Sequence, residues 1–468
     1  MRVRSLKPLA SSFEVRLLDV HLSEDATIKG AFRVESFTDL GIADAEHRAP
    51  WIHRGLFDSH LHVTWLGEIE RRVIAGHFDD VESYVAALKA ELKRIPENET
   101  LISYGFDEDR WDLKKDDLLE RVGAMLDPSR KWLLYRICGH LACASAGLLS
   151  SLGVSSAATL LDDTGIQTLH ARMPATSREI LKKDFLRAQK KLLESGIDTV
   201  GDMSLDEALV PAVIELRDEG HLELEYQGVM LDDTSRGYLK DPVFSNGTKP
   251  FEIRHWKRYL DGSFGSRTAW LRSPYADDAS TVGLQLHETE ELISSARAAL
   301  ARGFALSFHA IGDAALEQLL DMSDALKDEM GAMNRKAGRP LHRIEHAQLM
   351  GDDQLERLKK LGLWILCIQP YHREADRSFI RRRLGATRFD REAYRLFSLV
   401  DAGLPVSLGS DAPITFFEPA KTLEASDSIA EADALWKFSE GGRVIHGFPL
   451  RKLEVGTRVW ILEPRTTL

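Results

Sequence analysis

The stretch Gly55-Leu56-Phe57-Asp58-Ser59-His60-Leu61-His62 ends a short apolar run with two histidines. A run of this kind predicts a buried β-strand, and residues two apart on an extended segment point to the same side. The two imidazoles can therefore share one metal ion. A His-x-His pair alone is more often a chance or surface pair, so its meaning depends on the rest of the chain.

Short apolar runs recur along the chain, and helix-like segments separate several of them. The runs that predict strands are Trp51–Phe57, Asp198–Met203, Leu222–Met230, Ile253–Leu260, Phe304–Phe308, Arg343–Glu345, Trp364–Ile368 and Val406–Leu408. Helical spacing of apolar residues predicts helices over Lys182–Glu194, Glu288–Ala301, Ala315–Leu326 and Asp352–Lys360. Repeated strand–helix alternation is typical of a parallel sheet wrapped by helices. The sequence therefore predicts an α/β fold, a (β/α)8 TIM barrel over residues 51–439.

This count of strands requires residues 67–180 to form a long insertion after the first barrel strand. The elements expected in it are helices Asp79–Lys93 and Lys115–Leu126, a strand at Trp132–Ile137 and a loop-rich remainder. A connection of that length usually has a function, such as a lid or a pocket wall. The alternative is that the segment holds ordinary barrel elements and that the strand numbering is shifted.

The two ends of the chain have a different pattern from the barrel. Short strands are predicted at Phe13–Leu18, Gly30–Val34 and Arg458–Leu462. We expect residues 1–50 and 440–468 to join into one small β-sandwich-like domain beside the barrel.

Composition excludes several classes of function. The chain has 468 residues, of which 44% are hydrophobic, which is enough for a large core. A formal net charge of -12 argues against nucleic acid as a partner. Three cysteines favour a reducing compartment, and no signal peptide or membrane span is apparent. We expect a cytoplasmic protein with a small-molecule substrate and no membrane partner; the sequence is compatible with a homodimer but does not fix the oligomeric state.

Three more polar residues follow predicted strands. His309 comes after Phe304–Phe308, His346 after Arg343–Glu345, and Asp411 shortly after Val406–Leu408. Taken singly, each histidine is more often a hydrogen-bonded core residue, and the aspartate a helix cap. In a (β/α)8 barrel, however, the carboxyl ends of all strands meet at one mouth, where active sites lie. The sequence therefore predicts a site for one or two divalent cations, with zinc favoured.

Lys257 lies in the middle of the predicted fourth strand. A lysine there usually points to solvent, but the inner face of a closed barrel offers little water. An ammonium beside a metal would be repelled by it, whereas a lysine carboxylated by carbon dioxide is an anion that can bridge two metals.

Many short motifs now match a known family in the right order. They are Gly55-Leu56-Phe57-Asp58-Ser59-His60-Leu61-His62, Gly105-Phe106-Asp107 with Trp111, Gly139-His140, Lys257-Arg258-Tyr259-Leu260-Asp261-Gly262-Ser263 with Arg267-Thr268-Ala269, His309-Ala310-Ile311-Gly312-Asp313, Arg343-Ile344-Glu345-His346, Gln369-Pro370 and Gly409-Ser410-Asp411-Ala412-Pro413. The chain resembles amidohydrolase family 3 of the amidohydrolase superfamily, the branch that includes N-substituted formamide deformylase-like hydrolases. The resemblance spans roughly residues 50–420.

This resemblance implies roles for the candidate residues. His60 and His62 would bind the more buried metal together with Asp411. His309 and His346 would bind the second metal, and Lys257 would be the carboxylated bridge. Asp411, His346 and Lys257 are the expected catalytic residues, and Trp111, His140 and Arg267 are the expected substrate-binding residues.

Hydrolysis of a C–N bond by metal-activated water, with Asp411 as general base, is the function that the resemblance implies. Two alternatives remain: a deaminase of an aminated heterocycle on the same scaffold, and a non-catalytic relative. Glu345 and Asp313 are candidates for orienting histidines, although a helix cap or a local ion pair is an equally good interpretation.

Overall fold

The computed structural model describes residues 1–9, 12–42, 49–107, 111, 121–122, 125–137, 139–154, 159–174, 176–231, 241–244 and 249–464. Nineteen strands lie in these residues. They are β1 (Arg2–Pro8), β2 (Phe13–Glu24), β3 (Phe32–Ile42), β4 (Trp51–His53), β5 (Leu56–Leu61), β6 (Val73–Ile74), β7 (Leu101–Phe106), β8 (Trp132–Arg136), β9 (Ala142–Ala144), β10 (Thr159–Leu161), β11 (Ile197–Leu205), β12 (Glu225–Leu231), β13 (Val243–Phe244), β14 (Phe251–Tyr259), β15 (Ala305–Ala310), β16 (His342–His346), β17 (Trp364–Ile368), β18 (Val406–Leu408) and β19 (Arg458–Leu462).

Helices of very different length connect the strands. The α-helices of the described residues are Val63–Glu68, Val81–Arg94, Ala146–Ser151, Asp163–His170, Arg178–Glu194, Leu209–Asp218, Thr289–Ala301, Asp313–Ala337, Asp352–Leu361, His372–Ala375, Ile380–Leu384, Ala386–Glu392, Leu396–Asp401, Pro419–Ala425, Glu431–Lys437 and Glu440–Ile445. Short 3-10 turns cover Ile69–Arg71 and Ala75–His77. None of these helices is both long and apolar enough to cross a membrane.

The largest sheet is a nearly closed parallel barrel of eight strands, which run in the order β18-β17-β16-β15-β14-β12-β11-β5. The eight predicted strands correspond to these eight, with ends that differ by a few residues. The first prediction, Trp51–Phe57, covers two elements: β4 belongs to another sheet and β5 is the first strand of the large barrel. The fold is therefore mixed α/β and consistent with a TIM barrel.

Hydrogen bonds at the mouth join the first strand of the large barrel to the last. The Asp411 amide donates to the His60 carbonyl at 2.6 Å, and the His62 amide donates to the Ala412 carbonyl at 2.8 Å. The Ser59 hydroxyl donates to the Leu408 carbonyl at 2.8 Å. The seam between β5 and β18 therefore brings two stretches of predicted ligands together.

Side-chain alternation divides these strands into two faces. At odd positions of β15 and β16, the side chains of Ser307 and Glu345 hydrogen-bond to each other inside the barrel. At even positions, Leu306, Phe308 and Ile344 belong to the apolar core under the helices. The interior at this level is therefore polar, and the main hydrophobic core lies between the sheet and its helices.

Residues from both chain ends form a second sheet, a closed barrel with the strand order β1-β2-β3-β19-β4. The sequence predicted a sandwich-like arrangement here. A barrel forms instead because β19 pairs with β3 on one side and with β4 on the other, which leaves no open edge. This sheet includes β4, which lies beyond residue 50, whereas helix Glu440–Ile445 packs against β5 and β18 of the large barrel.

The segment expected as an insertion carries a third sheet, with the order β10-β9-β8-β7-β6. It follows helix Val63–Glu68 and precedes helix Arg178–Glu194, which pack against each other and flank the large barrel. The region predicted as loop-rich holds β9, β10 and two short helices. Most of the predicted helix Lys115–Leu126 lies outside the described residues.

Candidate metal centre

Three side chains from three strand ends converge at the mouth of the large barrel. His60 lies on β5, His346 ends β16, and Asp411 follows β18 by three residues. Each offers one ligand atom, and these atoms lie within 4.8 Å of one another. All three residues are buried. The strand-end positions seen in the sequence therefore do meet in space.

The carboxylate of Asp411 is the centre of this cluster. Its Oδ1 lies 3.2 Å from His60 Nε2 and 3.3 Å from His62 Nε2. Its Oδ2 lies 3.2 Å from Nε2 of His372, a residue that the sequence analysis did not single out. These neighbours outweigh burial, which alone would raise the pKa of Asp411, and they hold that pKa well below its usual range.

Two of the residues adopt a left-handed backbone conformation that is uncommon outside glycine. The φ angle is 76° at His346 and 61° at Asp411. Such conformations cost of order 1–3 kcal/mol each and persist where the surrounding structure fixes them, often at functional sites. The backbone is therefore turned at the points where these side chains enter the centre.

A buried ion pair beneath the cluster orients His60. Its Nδ1 lies 2.7 Å from Glu345 Oε2, so Nδ1 donates to the carboxylate and the Nε2 lone pair faces the cluster. Arg343 donates to both oxygens of Glu345, at 2.7 Å and 3.0 Å, and Ser307 donates at 2.7 Å. Burial would raise the pKa of Glu345, but the Arg343 guanidinium and His60 hold it well below its usual range.

His346 and His309 are also held by polar partners. His346 Nδ1 lies 2.8 Å from Gln369 Oε1. His309 Nε2 lies 3.0 Å from the Gly262 carbonyl and 3.5 Å from Asp261 Oδ1. Burial, followed by neighbouring imidazoles, lowers the pKa of His309 and of His346 well below the usual range. Both rings are therefore neutral, which is the form that binds a metal.

Lys257 is fully buried on β14, inside the large barrel. Its Nζ lies 4.7 Å from the centroid of the Tyr259 ring. That ring lies 4.9 Å from the ring of His309, whose own centroid is 4.5 Å from that of His346. The lysine is thus close to the histidines that the resemblance assigns to the second metal.

The three predicted substrate residues are in different surroundings. The ring of His140, which follows β8, lies 5.2 Å from the ring of His309. The guanidinium of Arg267 is paired with Asp277, with Nη2 and Oδ2 at 2.8 Å. Trp111 packs against Tyr84, with ring centroids 5.4 Å apart, and joins the apolar core of the third sheet. Of the three, His140 lies beside a predicted metal ligand, whereas Trp111 packs in an apolar core.

Of the two carboxylates predicted to orient histidines, Glu345 contacts His60, whereas Asp313 contacts a backbone amide. Asp313 starts helix Asp313–Ala337, and its Oδ1 accepts from the Arg272 amide at 2.9 Å. The carboxylate nearest to His309 is that of Asp261, which also accepts from the amides of Trp270, Ile311 and Gly312. Burial raises the pKa of Asp261 to about 7.

Sequence reasoning did not single out His372 as part of the centre. It begins a short helix four residues after β17 ends, at the same edge as the other strand-end residues. That position was the available signal. The signal is weak because His372 lies four residues beyond the end of β17, and the chain returns to the mouth only after the turn at Pro370.

The donor set fits a metal ion. Nε2 of His60 is buried and, within the described part of the chain, has no hydrogen bond of good geometry. Buried nitrogens without partners are costly unless something binds them. Several neutral imidazoles with one carboxylate form a set that suits zinc and other divalent transition metals.

Comparison with known proteins identifies the family. The amidohydrolase family profile matches residues 55–440. A Bacillus subtilis (strain 168) protein named "Putative amidohydrolase YtcJ" is 28% identical over 440 residues, which cover 86% of this chain and 79% of that protein. Protein LONG AFTER FAR-RED 3 of Arabidopsis thaliana is 24% identical over 90% of this chain and 75% of its own length.

Solved structures are similar over nearly the whole chain. An uncharacterized metal-dependent hydrolase from Pyrococcus horikoshii OT3 superposes with a TM-score of 0.70 at 25% identity, covering 89% of this chain and 86% of that one. A second one, from Pyrococcus furiosus, has a TM-score of 0.68 at 24% identity, covering 93% and 95%. The chain belongs to the amidohydrolase family.

The buried ion pair beneath the centre predicts a large effect on stability. Glu345→Gln keeps an oxygen for His60 but leaves the Arg343 cation without a countercharge, and breaking such a buried pair costs about 3–5 kcal/mol of unfolding free energy. Urea unfolding followed by circular dichroism measures it. The matched control is Glu329→Gln at the exposed pair with Arg297, where we expect a loss below about 1 kcal/mol. Equal losses in the two variants would contradict the role of the ion pair.

Proposed function

We propose that the protein is a metal-dependent hydrolase that cleaves a C–N bond of an amide, N-acyl or N-formyl small molecule. The observation that carries the proposal is the carboxylate of Asp411 with the Nε2 atoms of His60 and His62 at 3.2 Å and 3.3 Å from one oxygen. Family membership supports it, as does the likeness to an uncharacterized metal-dependent hydrolase from Pyrococcus horikoshii OT3.

The ligands follow from their positions and from the family resemblance. His60, His62 and Asp411 would hold one cation, and His309 and His346 a second, with zinc favoured. Lys257, carboxylated at Nζ by carbon dioxide, would bridge the two. A divalent cation held there would lower the pKa of a bound water towards neutrality and so supply the nucleophile.

The residues of the chain would then move one proton and hold the substrate. Asp411 is the general base: Oδ2 accepts the proton of the attacking water and passes it to the leaving nitrogen. His140, which lies beside His309, would donate to the substrate carbonyl oxygen, where negative charge develops. Arg267, which is held by Asp277, would shape the mouth, and Trp111 is not part of the proposal.

A substrate panel tests the proposal directly. It contains N-formyl amines, N-acyl amino acids, simple amides and aminated heterocycles, assayed with enzyme grown in zinc. We expect release of a carboxylate and an amine from at least one acyl substrate. Ammonia release from heterocycles without any carboxylate product would favour a deaminase instead. Trace metal in the purified protein together with no turnover would support a non-catalytic relative.

Asp411→Asn tests the base. The amide keeps the shape of the side chain but cannot accept a proton, so kcat should fall by about 10²- to 10⁴-fold. Metal content, measured by plasma mass spectrometry, should be partly retained because the histidines remain. Asp313→Asn is the control, since that carboxylate caps a loop amide and does not contact the cluster. An unchanged kcat in Asp411→Asn would rule out this role.

Lys257→Ala tests the bridge. Without the carboxylated lysine, activity should be lost and the bound metal should drop by about half, while short carboxylic acids with bicarbonate should restore part of both. Lys249→Ala, at a lysine that donates to the Glu223 carbonyl on the surface, should leave metal content and activity unchanged. Full activity in Lys257→Ala would remove the bridge from the mechanism.

A further inference from the structure

His372 is an imidazole that neither the family resemblance nor the proposed ligand set uses. Its side chain is 9% exposed, and its Nε2 lies 3.2 Å from Oδ2 of Asp411. Its ring stacks on that of His346, with centroids 5.6 Å apart and planes inclined by 15°. The residue is therefore packed into the centre from a fifth segment of chain, the one that follows β17.

Gln348 determines which nitrogen of His372 carries the proton. The side-chain amide of Gln348 donates to Nδ1 of His372. A ring nitrogen that accepts a hydrogen bond is unprotonated, so the proton of a neutral imidazole is on the other nitrogen, Nε2. The N–H group of His372 is thus on the side of the ring that faces Asp411.

The segments that carry Gln348 and His372 are fixed to each other by Tyr394. Its amide donates to the Gln348 carbonyl at 2.8 Å. Its hydroxyl donates to Asp376 Oδ2 at 2.6 Å, one turn beyond His372. Gln348 itself is 5% exposed. The imidazole therefore has little freedom to leave Asp411.

The two oxygens of Asp411 consequently have different neighbours. Oδ1 faces the Nε2 atoms of His60 and His62, and Oδ2 faces His372. A carboxylate can otherwise exchange its oxygens by rotation about its terminal bond. Because an N–H group faces only one of the two carboxylate oxygens, one orientation of the carboxylate is lower in energy than the other.

We propose that His372 is a positioning residue that holds the Asp411 carboxylate with Oδ1 towards the His60–His62 pair and Oδ2 towards His372, so that Oδ2 is the oxygen that exchanges a proton. This inference rests on the proposed function, in which Asp411 is the general base. In that role the base must present the same oxygen at every turnover, and a partner of this kind typically contributes 10- to 100-fold to activity.

The first test compares kinetics and metal content in His372 variants. In His372→Ala, kcat should fall by about 10- to 100-fold with KM within about twofold of the parent and with unchanged metal content. His372→Gln keeps an N–H donor and should recover part of kcat. The control is Tyr371→Phe, at the neighbouring residue, whose ring packs on Phe416 and is expected to leave both quantities unchanged.

Three results of this test would overturn the inference. A loss of metal in His372→Ala would make His372 a ligand, a rise in KM with unchanged kcat would make it a substrate contact, and unchanged kinetics would remove any role. Failure of the proposed function is distinguishable, because then the parent enzyme itself turns over no C–N substrate.

A second readout needs no activity. In protein labelled with ¹⁵N at histidine, the resonances of His372 are those that disappear in His372→Gln. We expect a protonated Nε2 and an unprotonated Nδ1, and a partial shift to the opposite tautomer in Gln348→Leu, where the donor is missing. A protonated Nδ1 in the parent protein, or no response to Gln348→Leu, would contradict the inference even in an inactive protein.

Discussion

The ion pair between Arg343 and Glu345 is the interaction on which the candidate centre depends. Both side chains are fully buried inside the large barrel. Removing two charges from water costs several kcal/mol per ion, and only close pairing with further hydrogen bonds offsets that cost. Both side chains have several hydrogen-bond partners. Glu345 accepts from Arg343, Ser307 and His60, while Arg343 also donates to Gln227 and to the Ser59 carbonyl. The pair therefore links β16 to β5 and orients the first histidine.

The same polar character continues below this pair. Gln227 accepts from Arg343 and lies 2.8 Å from His446 Nδ1, and His446 Nε2 lies 2.9 Å from the Ser407 hydroxyl. Burial lowers the pKa of His446 well below its usual range and raises that of Cys367 to about 12. His446 and Cys367 are thus neutral, and Arg343 with Glu345 contributes the charge at this level. A polar interior whose groups are paired restricts the strands to one register, because a shift by one residue would expose each group to apolar neighbours.

The sequence predicts the large barrel in more detail than the other two sheets, for one physical reason. Each barrel strand is a local apolar run with a helix beside it, so Phe304–Phe308 or Trp364–Ile368 is visible without knowledge of its partners. Closure of the small barrel depends on β19 pairing with strands more than 400 residues away in the chain, which no local pattern encodes. The residues of the candidate centre also differ in how visible they are in the sequence. His60, His346 and Asp411 were visible as strand-end residues, whereas His372 reaches the centre after a turn, and Trp111 matched a motif but packs into an apolar core.

The contacts that close the large barrel also bring the residues of the centre together. The contacts that join β5 to β18 are backbone hydrogen bonds of His60 and His62 with Asp411 and Ala412, so the residues that close the seam are the ones that carry or adjoin the ligands. Asp58 reinforces the seam because its Oδ1 accepts from the Ser410 amide at 2.9 Å and from the His60 amide at 3.2 Å. The separation between the histidine pair and the aspartate is consequently set by these backbone hydrogen bonds. The left-handed backbone at Asp411 then turns its carboxylate towards the two imidazoles. A cation bound at these side chains would cross-link the seam, and for that reason metal affinity and barrel stability should be coupled in this fold.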